Sequence, residues 1–467
     1  MVLASRDGHD DPAQAAAKFE ASHENELLSD YLYIICGAIA VAVIAWKIID
    51  IATKWTRTVV CLNNDHQRYF ALPSPNLARL KRHILYAPVL RKRHNREIQL
   101  STALNVGTLP TRFQLLFLVA YFATNVAFCV VDIDFTDSYE NVARLVRNRT
   151  VGVWYHIKLG ELEQMRYIYG VIGLWLADRV ARALRVVYNN FGGTRTRTVI
   201  EALPGDTVRL TMTLARPWHA RPGQHAYLYM PGISFWQSHP FSVSWTEGTD
   251  DLTADKLAST HQERKAMQKM QICFIIRART GFTNTLYQKV AAAPAGKMDA
   301  TCYVEGPYGA KHPLDSYGTV VLFAGGVGVT HQVPYVKDLV AGFAAGTVAT
   351  RRVHLVWAIQ SPEHLEWIRP WMTEILGMDK RRDVLRITLF VSQPRSTKEI
   401  HSPSSTVQMF PGRPNIETLL SMEQEQQVGA MAVSVCGPGT LSDEVRRVVR
   451  GRQSRSSIDF IEEAFSW

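Results

Sequence analysis

The stretch Val320-Val-Leu-Phe-Ala-Gly-Gly-Val-Gly-Val-Thr330 decides the fold of the second half of the chain. Apolar β-branched and aromatic residues run into a glycine turn, and the periodic segment 331–340 follows, which predicts strand, tight turn and helix. Such a turn suits a phosphate, because glycines allow close approach and a helix N-terminus presents free N–H groups. A purely structural turn has the same pattern, and the third glycine of the dinucleotide fingerprint is absent.

Two different patterns lie on either side of this turn. From Gly192 onward, short strand patterns separated by Pro and Gly are typical of a small antiparallel barrel. These predicted strands are Thr196–Ile200, Val208–Leu214, His225–Met230, Phe241–Trp245, Ile272–Ala278 and Thr301–Val304, with a polar excursion at Thr246–Lys269. After Val320, strands alternate with helical periods, which predicts an α/β domain with a parallel sheet. Its further strands are Val353–Ile359, Leu385–Val391 and Ala430–Val435, and its helices lie near Pro362–Leu376, Ile416–Glu423 and Thr440–Val449.

Three apolar segments in the first half predict an α-helical transmembrane region. Tyr31–Ile51 and Phe113–Val131 are each long enough to cross a hydrocarbon core of about 30 Å as a helix, whereas Tyr167–Ala177 is shorter. Helices buried in a protein core are the alternative. We expect spans at about 31–51, 113–131 and 166–187, with the polar N-terminus, residues 1–30, outside and the second half in the cytosol.

The chain is basic, with 52 Lys and Arg against 42 Asp and Glu, and this charge is concentrated. Between Lys54 and Arg96 there are ten basic residues and one acidic residue, Asp65. A nucleic-acid patch has this composition, but the position directly after an apolar segment favours a cytosolic membrane flank. We therefore expect a membrane as partner and no nucleic acid. The six cysteines contain no CxxC pair, which disfavours a disulfide framework or a structural zinc site.

Four ordered motifs in the second half resemble those of one family. Gln237-Ser-His-Pro-Phe-Ser242, Gly306-Pro-Tyr-Gly309, the turn at Gly325 and Cys436-Gly-Pro438 occur in the order and at spacings similar to those of ferric-chelate reductases and NADPH oxidases. The Phe-Ser-Trp ending at Trp467 is similar to the fungal-type ferric reductases. The resemblance implies a multi-domain protein, in which a transmembrane region at 31–191 is followed by a ferredoxin-reductase-like module. That module would consist of an antiparallel β-barrel FAD domain at 192–315 and an α/β parallel-sheet NADPH domain at 316–467.

Two groups of residues are similar to the FAD site of this family. The first group is His239, Pro240, Phe241 and Ser242. Here proline is expected to fix a turn whose neighbours present an imidazole, an aromatic face and a hydroxyl to the flavin, and a buried strand end with a satisfied histidine is the alternative. The second group resembles the flavin pyrophosphate site and consists of Arg277, Arg279, Gly281 and Thr283. Basic residues on a solvated strand face are its ordinary explanation.

The resemblance also assigns a site for NADPH. The residues implied for the nucleotide are Gly325, Gly326, Gly328, Thr330, Gly437 and Pro438, and those implied for the passage between domains are Gly306, Pro307 and Gly309. Cys436 is expected near the reactive ring, with ordinary packing at a strand end as the alternative. Arg413 is the candidate for preferring NADPH over NADH, although an arginine in a Gly-Pro loop is commonly just exposed.

The C-terminus supplies two aromatic candidates. In this family the C-terminal aromatic residues lie close to the flavin, so Phe465 or Trp467 is expected to stack on the ring and to be displaced by nicotinamide. Both therefore join Cys436 in the predicted catalytic set. An ordinary terminal strand is the alternative.

Members of this family carry two b-type haems on paired membrane histidines, and this sequence lacks those pairs. Asn148-Arg-Thr150 resembles the start of one family helix and Trp154-Tyr-His156 the end of a later one, which implies that the helices between them are missing. His156 is then the candidate haem ligand, with a position at the membrane interface as the alternative. A splice variant, an imperfect gene model or a real truncation would each produce this gap.

The leading hypothesis is a multi-pass plasma-membrane ferric-chelate reductase of iron uptake, which passes electrons from NADPH through FAD to ferric or cupric chelates. An NADPH diaphorase without transmembrane haem, and a catalytically silent subunit that pairs with an intact reductase, are the alternatives. An NADPH oxidase that makes superoxide is a further one.

Overall fold

The computed structural model describes residues 12–62, 64–89, 94–95, 99–101, 104–105, 109–130, 164–192, 195–235, 237–247, 270–309, 312–394 and 404–463. The chain divides into two compact units, one with residues 1–57 and 117–136 and the other with residues 58–116 and 137–467. Most of the predicted polar excursion at 246–269 lies outside the described residues.

Helices dominate the first part of the chain. They are α1 (Pro12–Cys61), α2 (Pro75–Leu80), α3 (Arg112–Val130) and α4 (Gln164–Asn190), and the short strands β1 (Gln99–Ser101) and β2 (Leu104–Asn105) precede α3. Among the described residues, one helical stretch, Tyr33–Cys61, is long and apolar enough to cross a membrane, and the apolar stretch Arg112–Thr124 is shorter. α1 continues past the predicted end at Ile51, where Asp50 and Lys54 pair at 2.8 Å with helical spacing.

Among the described residues of the first β domain, eight strands form two antiparallel sheets. They are β3 (Arg197–Leu203), β4 (Thr207–Thr213), β5 (His225–Tyr229), β6 (Ser238–Ser242), β7 (Trp245–Glu247), β8 (Gln271–Arg277), β9 (Lys297–Ala300) and β10 (Tyr303–Tyr308). The sheet orders are β10-β5-β6 and β7-β8-β4-β3-β9, and both sheets bury residues such as Leu210, Leu228 and Phe274 in one core. This is the antiparallel domain that the sequence predicts. The stretches Phe241–Trp245 and Thr301–Val304 are each predicted as one strand, but the chain breaks between two strands in both places.

A six-stranded, fully parallel sheet forms the second domain, as predicted. Its order is β14-β13-β12-β11-β15-β16, with β11 (Thr319–Gly325) in the middle and buried throughout. The other strands are β12 (Arg352–Ile359), β13 (Leu385–Val391), β14 (Val407–Pro411), β15 (Met431–Cys436) and β16 (Ile458–Glu463). The helices of this half are α5 (Phe282–Ala291) on the first domain, and α6 (Val329–Ala345), α7 (Arg369–Gly377), α8 (Arg381–Val384), α9 (Ile416–Glu425) and α10 (Gly439–Arg452) on the second. The sequence did not predict β14, and it gave a terminal strand near β16 only as an alternative.

Aromatic side chains join the two β domains directly. Trp245 of the antiparallel domain stacks on Trp371 of α7, with ring centroids 5.6 Å apart, and the Lys337 ammonium lies 3.9 Å from the centre of the Trp245 ring. Trp245 is 1% exposed and belongs to the same core cluster as β11 and β12. The two domains therefore meet over a packed interface, which fixes the residues at their common edge relative to each other.

The end of α4 is tied to β10 by a buried carboxylate. Glu305 is fully buried, and its oxygens accept hydrogen bonds from Arg182 at 2.7 and 3.0 Å, from Tyr229 at 2.6 Å and from Tyr308 at 2.5 Å. Asn190 adds a reciprocal pair with the backbone of Val304, at 2.8 and 2.9 Å. The last two turns of α4 are thereby fixed to the β10-β5-β6 sheet.

Candidate functional site: a cleft between the two β domains

A cleft of ≈ 840 Å³ lies where the ends of β6 and β8 face the carboxyl ends of β11, β12 and β15. Ligand pockets commonly have volumes of about 300–1,000 Å³, and in open α/β sheets they lie outside the carboxyl ends of the strands. The sequence-predicted residues that line it together are His239, Pro240, Phe241, Ser242, Arg277, Arg279, Thr283, Gly325, Gly326, Gly328, Thr330, Arg413, Cys436, Gly437 and Pro438. Two groups predicted from separate motifs are thus neighbours in space.

The glycine turn forms one wall of the cleft. β11 ends at Gly325, a single tight turn covers Gly326–Gly328, and α6 begins at Val329. Gly326 has φ +54°, and the nearest atom to a Cβ built on it would be an Arg277 guanidinium nitrogen at 3.9 Å. The Trp357 indole N–H donates to the Gly326 carbonyl at 2.9 Å. Gly326 is therefore the position where the backbone is free to approach a ligand. The Thr330 hydroxyl donates to the Val327 carbonyl at 2.8 Å and so stabilises the turn.

The other glycines of this wall are required by packing. A Cβ on Gly328 would lie 2.1 Å from the Cys436 carbonyl oxygen, and one on Gly437 would lie 2.8 Å from the Gly325 backbone. The turn after β11 and the turn after β15 therefore touch backbone to backbone. Gly328 was predicted to allow close approach of an anion and Gly437 was assigned by resemblance, whereas in the structure both glycines allow the two turns to touch.

The opposite wall comes from β6. Pro240 lies within this strand and pairs with Tyr227 of β5, so the turn expected at His-Pro-Phe-Ser is a strand. Proline is tolerated there because β6 is an edge strand of its sheet. The His239 ring lies 4.4 Å from the Phe282 ring, centroid to centroid, and its Nε2 has no hydrogen-bond partner among the described residues. Burial lowers the pKa of His239, so a neutral imidazole faces this region at neutral pH.

Cations border the cleft at the end of β8. The Arg277 guanidinium approaches the Gln360 side chain at 3.4 Å, and the Arg279 backbone N–H donates to the Thr283 hydroxyl at 3.0 Å. Gly281 precedes α5 with φ +57° and shapes this loop, although it does not line the cleft itself. Two arginines beside the free N-terminus of α5 fit an anionic group.

Cys436 is a buried thiol at the base of the cleft. It is 1% exposed, and burial, with a smaller contribution from the Glu463 carboxylate, raises its pKa far above the usual range. The thiol is therefore protonated at neutral pH. It can contribute a small lining surface or a weak hydrogen-bond donor to the cleft, but it cannot act as a thiolate nucleophile.

Several predicted residues lie elsewhere. Gly306, Pro307 and Gly309 are next to His225 and Ala226, beside the tie between α4 and β10, and do not line the cleft. His156, Phe465 and Trp467 lie outside the described residues.

Further residues line the cleft that were not predicted from the sequence. They include Phe282 of α5, Gln360 after β12, Ser392 after β13, His364 in the 3-10 helix Pro362–Trp367, and Thr440 and Glu444 of α10. Gln360 and Ser392 each directly follow a predicted parallel strand, so the rule that ligands lie at carboxyl strand ends could have found them. Nothing in the local sequence distinguishes Phe282.

Two family models match the second half of the chain. Residues 194–258 match an FAD-binding domain, and residues 317–450 match the ferric reductase NAD binding domain.

Curated relatives are fungal proteins. Ferric reductase transmembrane component 3 of Saccharomyces cerevisiae is 26% identical over 345 residues, which cover 67% of this chain and 44% of that protein. Ferric/cupric reductase transmembrane component 2 of the same yeast is 25% identical over 346 residues, with the same shares covered. This chain thus spans less than half the length of these relatives. Among solved structures, an Amycolatopsis cytochrome P450 reductase aligns with a TM-score of 0.37 and 19% identity, over 58% of this chain and 70% of that one.

Proposed function

We propose that this chain is a membrane flavoprotein that passes electrons from NADPH through FAD to ferric or cupric chelates. The family matches confirm the predicted resemblance to the ferric reductases, on which this proposal builds. The observation that carries the proposal is the shared cleft. The His239–Ser242 strand and the Gly325–Gly328 turn line this same cavity. When bound, the nicotinamide supplies a hydride that the flavin passes on as single electrons.

The residues of the cleft fit both groups. On the FAD side, the unpartnered Nε2 of His239 offers a hydrogen bond, the Phe282 ring offers a flat apolar face, and Arg277 and Arg279 offer charge to a pyrophosphate. On the nucleotide side, Gly326 presents backbone to open space at the start of α6. We assign the 2′-phosphate of NADPH to Arg413, which is exposed at the cleft edge.

The order of these residues supports direct transfer between the two ligands. Cys436 and the turn after β15 pack against the glycine turn and line the same cleft as β6, and a small, uncharged thiol leaves room there for two flat rings to meet. We include Phe465 and Trp467 in the site as the residues that cover the flavin before nicotinamide arrives, and His156 as the remaining haem candidate.

We place the domain boundaries at residues 192 and 316 and the protein in the plasma membrane, with both β domains in the cytosol. One apolar stretch of membrane-spanning length, Tyr33–Cys61, and the transmembrane relatives support a membrane location. Electron transfer across the membrane requires haem ligands, and the predicted spans contain no histidine. This sequence feature favours a second candidate, a diaphorase that reduces acceptors on the cytosolic side.

Reduction of a soluble dye by NADPH tests the flavin reductase activity. Gly326→Glu places a carboxylate where a phosphate is expected, and we expect it to slow the reaction at least about tenfold by repelling the nucleotide. Gly346→Glu, at an exposed helix end with φ +70° and open space around it, is the matched control for a side chain at positive φ and should keep the wild-type rate. Equal rates for wild type and Gly326→Glu would overturn the proposal.

Reduced-minus-oxidised absorbance of the purified chain separates the two candidates. Haem bands support transfer across the membrane, whereas a flavin spectrum alone, together with dye reduction, supports the diaphorase. Wild type without dye reduction would instead favour the silent subunit.

A further inference from the structure

The segment that follows α1 lies along one side of the parallel-sheet domain. The Gln67 amide donates to the Ala349 carbonyl at 2.6 Å, Lys81 pairs with Asp459 of β16 at 2.6 Å, and the Ser457 N–H donates to the Ala71 carbonyl at 2.9 Å. This segment belongs by sequence to the loop between the first two apolar helices, yet its contacts are with the nucleotide domain.

Asn95, further along the same loop, contacts the elements that follow the turn after β15. Its side-chain NH2 group donates to Glu462 at 2.5 Å and to Asp443 at 3.3 Å. The same Asp443 oxygen accepts the backbone N–H groups of His94 and Asn95, at 3.0 and 3.1 Å. One amide therefore bridges two carboxylates from different elements, Asp443 on α10 and Glu462 on β16.

One carboxylate is adjacent in sequence to a residue of the cleft, and the other to the strand partner of such a residue. Asp443 precedes Glu444, which lines the cleft. Glu462 precedes Glu463, which is the β16 partner of Cys436 in the sheet register. Asn95 also packs on the first residue of α10, because a Cβ on Gly439 would lie only 2.7 Å from the Asn95 Cβ. The loop thus contacts the end of the Cys436–Gly439 turn itself.

Electrostatics makes the bridge necessary. Glu462 is 8% exposed and is already paired with the buried Arg446. Without the Asn95 amide, the Asp443 carboxylate loses one of its donors and Glu462 keeps only one partner, while the two like charges remain close. Because Arg446 lies on α10, its pair with Glu462 still joins this helix to β16, so the effect is confined to the first turn of α10, which loses its link to the loop at the rim of the cleft.

We propose that Asn95 is a positioning residue for the nucleotide cleft, holding the start of α10 and the end of β16 in the arrangement that binds NADPH. This inference rests on the proposed function for the identity of the ligand. It links nucleotide affinity to a loop that leads from one apolar helix to the next.

The test is the affinity of the detergent-purified, FAD-loaded full chain for NADP⁺, measured by titration calorimetry. We expect Asn95→Ala to weaken binding about three- to tenfold, since it removes hydrogen bonds to charged acceptors. Asn95→Asp should weaken it further, because a third carboxylate then faces the other two. Flavin content should stay at the wild-type level in both variants. Asn76→Ala, on the exposed α2 of the same segment, is the matched control and should bind normally.

A second measurement does not depend on the nucleotide. Hydrogen exchange of the peptide that covers residues 437–447 should be faster in Asn95→Ala than in wild type, because the first turn of α10 loses its support. Wild-type NADP⁺ affinity in Asn95→Ala would overturn the inference, and so would unchanged exchange at 437–447. If wild type itself binds no NADP⁺, the proposed function fails, whereas the exchange result still decides the role of Asn95.

Discussion

Replacing Glu305 with glutamine tests how firmly the end of α4 is fixed to the sheet that carries the predicted flavin residues. The carboxylate is fully buried and accepts hydrogen bonds from Arg182, Tyr229 and Tyr308. Glutamine has nearly the same volume, but it removes the negative charge with which Arg182 pairs. Its NH2 group is a donor and would face the donor groups of Arg182, Tyr229 and Tyr308, to which the carboxylate offers acceptor oxygens. The substitution therefore leaves a partly buried guanidinium without its counter-charge.

The magnitude follows from burial on each side of the pair. Breaking a buried ion pair by removing one partner costs about 3–5 kcal/mol, whereas exposed pairs contribute about 0–1 kcal/mol. The Arg182 side chain is 32% exposed and can recover part of its hydration. We therefore expect Glu305→Gln to lower the free energy of unfolding by about 2–3 kcal/mol. For a domain of 150–250 residues this is about 4–12 °C in Tm.

The assay is thermal unfolding of the purified chain, followed by the release of flavin fluorescence. Glu201→Gln is the control, because Glu201 is a 34% exposed carboxylate of the same domain that pairs with Lys297 at 2.6 Å and, more distantly, with Arg209 at 3.8 Å. A loss of about 0–1 kcal/mol should change its Tm by no more than about 4 °C. If Glu305→Gln and Glu201→Gln lower Tm equally, the buried tie does not have the stabilising role that its geometry indicates.

The pH dependence of this difference has a defined sign. Burial alone would raise the pKa of Glu305, but hydrogen bonds from Arg182, Tyr229 and Tyr308 outweigh it and the pKa is lowered. A group with a lowered folded-state pKa contributes stability above its unfolded pKa of about 4.3, and this contribution disappears as the pH falls through the folded-state value. The Tm difference between wild type and Glu305→Gln should therefore be constant above about pH 5 and shrink in acid. A difference that grows on acidification would contradict this account.

Three further predictions concern the cleft. Gly328→Ala should lower both the NADP⁺ affinity in calorimetric titrations and the stability, because its Cβ would lie 2.1 Å from the Cys436 carbonyl oxygen and force the two turns apart. Gly377→Ala, where the added Cβ meets open space, is the control and should leave both quantities unchanged. Arg413→Ala should raise the KM for NADPH about tenfold and leave the KM for NADH unchanged. Arg386→Ala, at another exposed arginine, is the control and should change neither KM. Equal increases for both nucleotides would argue against the assignment of the 2′-phosphate to Arg413. Cys436 of the folded chain should react only slowly with iodoacetamide at pH 8, as measured by peptide mass spectrometry. Burial raises the pKa of its thiol, and the residue is only 1% exposed to the reagent. Rapid labelling would show that the thiol is accessible.

Local sequence predicted the elements whose signal is contained in a short window. Val320–Gly325 is a run of apolar residues followed by glycines, and the strand, tight turn and helix follow from period and turn chemistry alone. The parallel strands at 353–359 and 385–391 were recognisable for the same reason. β14 was missed because its sequence, Val-Gln-Met-Phe-Pro, is short, and it occupies the edge of the sheet, where little of the strand needs to be apolar.

Pairings between distant residues could not be predicted. Glu305 and Arg182 have no feature in their own segments that indicates a buried pair, because the pairing exists only once α4 packs on β10. Asn95 is a polar residue in a basic loop until β16 and α10 are placed beside it. His239 was recognised by resemblance, yet the expectation of a turn there was wrong. Proline was taken to indicate a turn, although the edge position of β6 permits it within a strand.

The three-stranded sheet gives a physical measure of the distance between the predicted flavin site and α4. His239 on β6 is the register partner of Leu228 on β5, and Leu228 is that of Val304 on β10. Val304 in turn exchanges two hydrogen bonds with Asn190 at the end of α4. Adjacent strands lie about 4.8 Å apart, so about 10 Å of hydrogen-bonded backbone separates His239 from the strand that holds α4. Because this spacing is set by sheet geometry and the end of α4 is held to β10 by Glu305, loosening that tie should change the position of α4 relative to His239 while leaving the residues of the cleft in place.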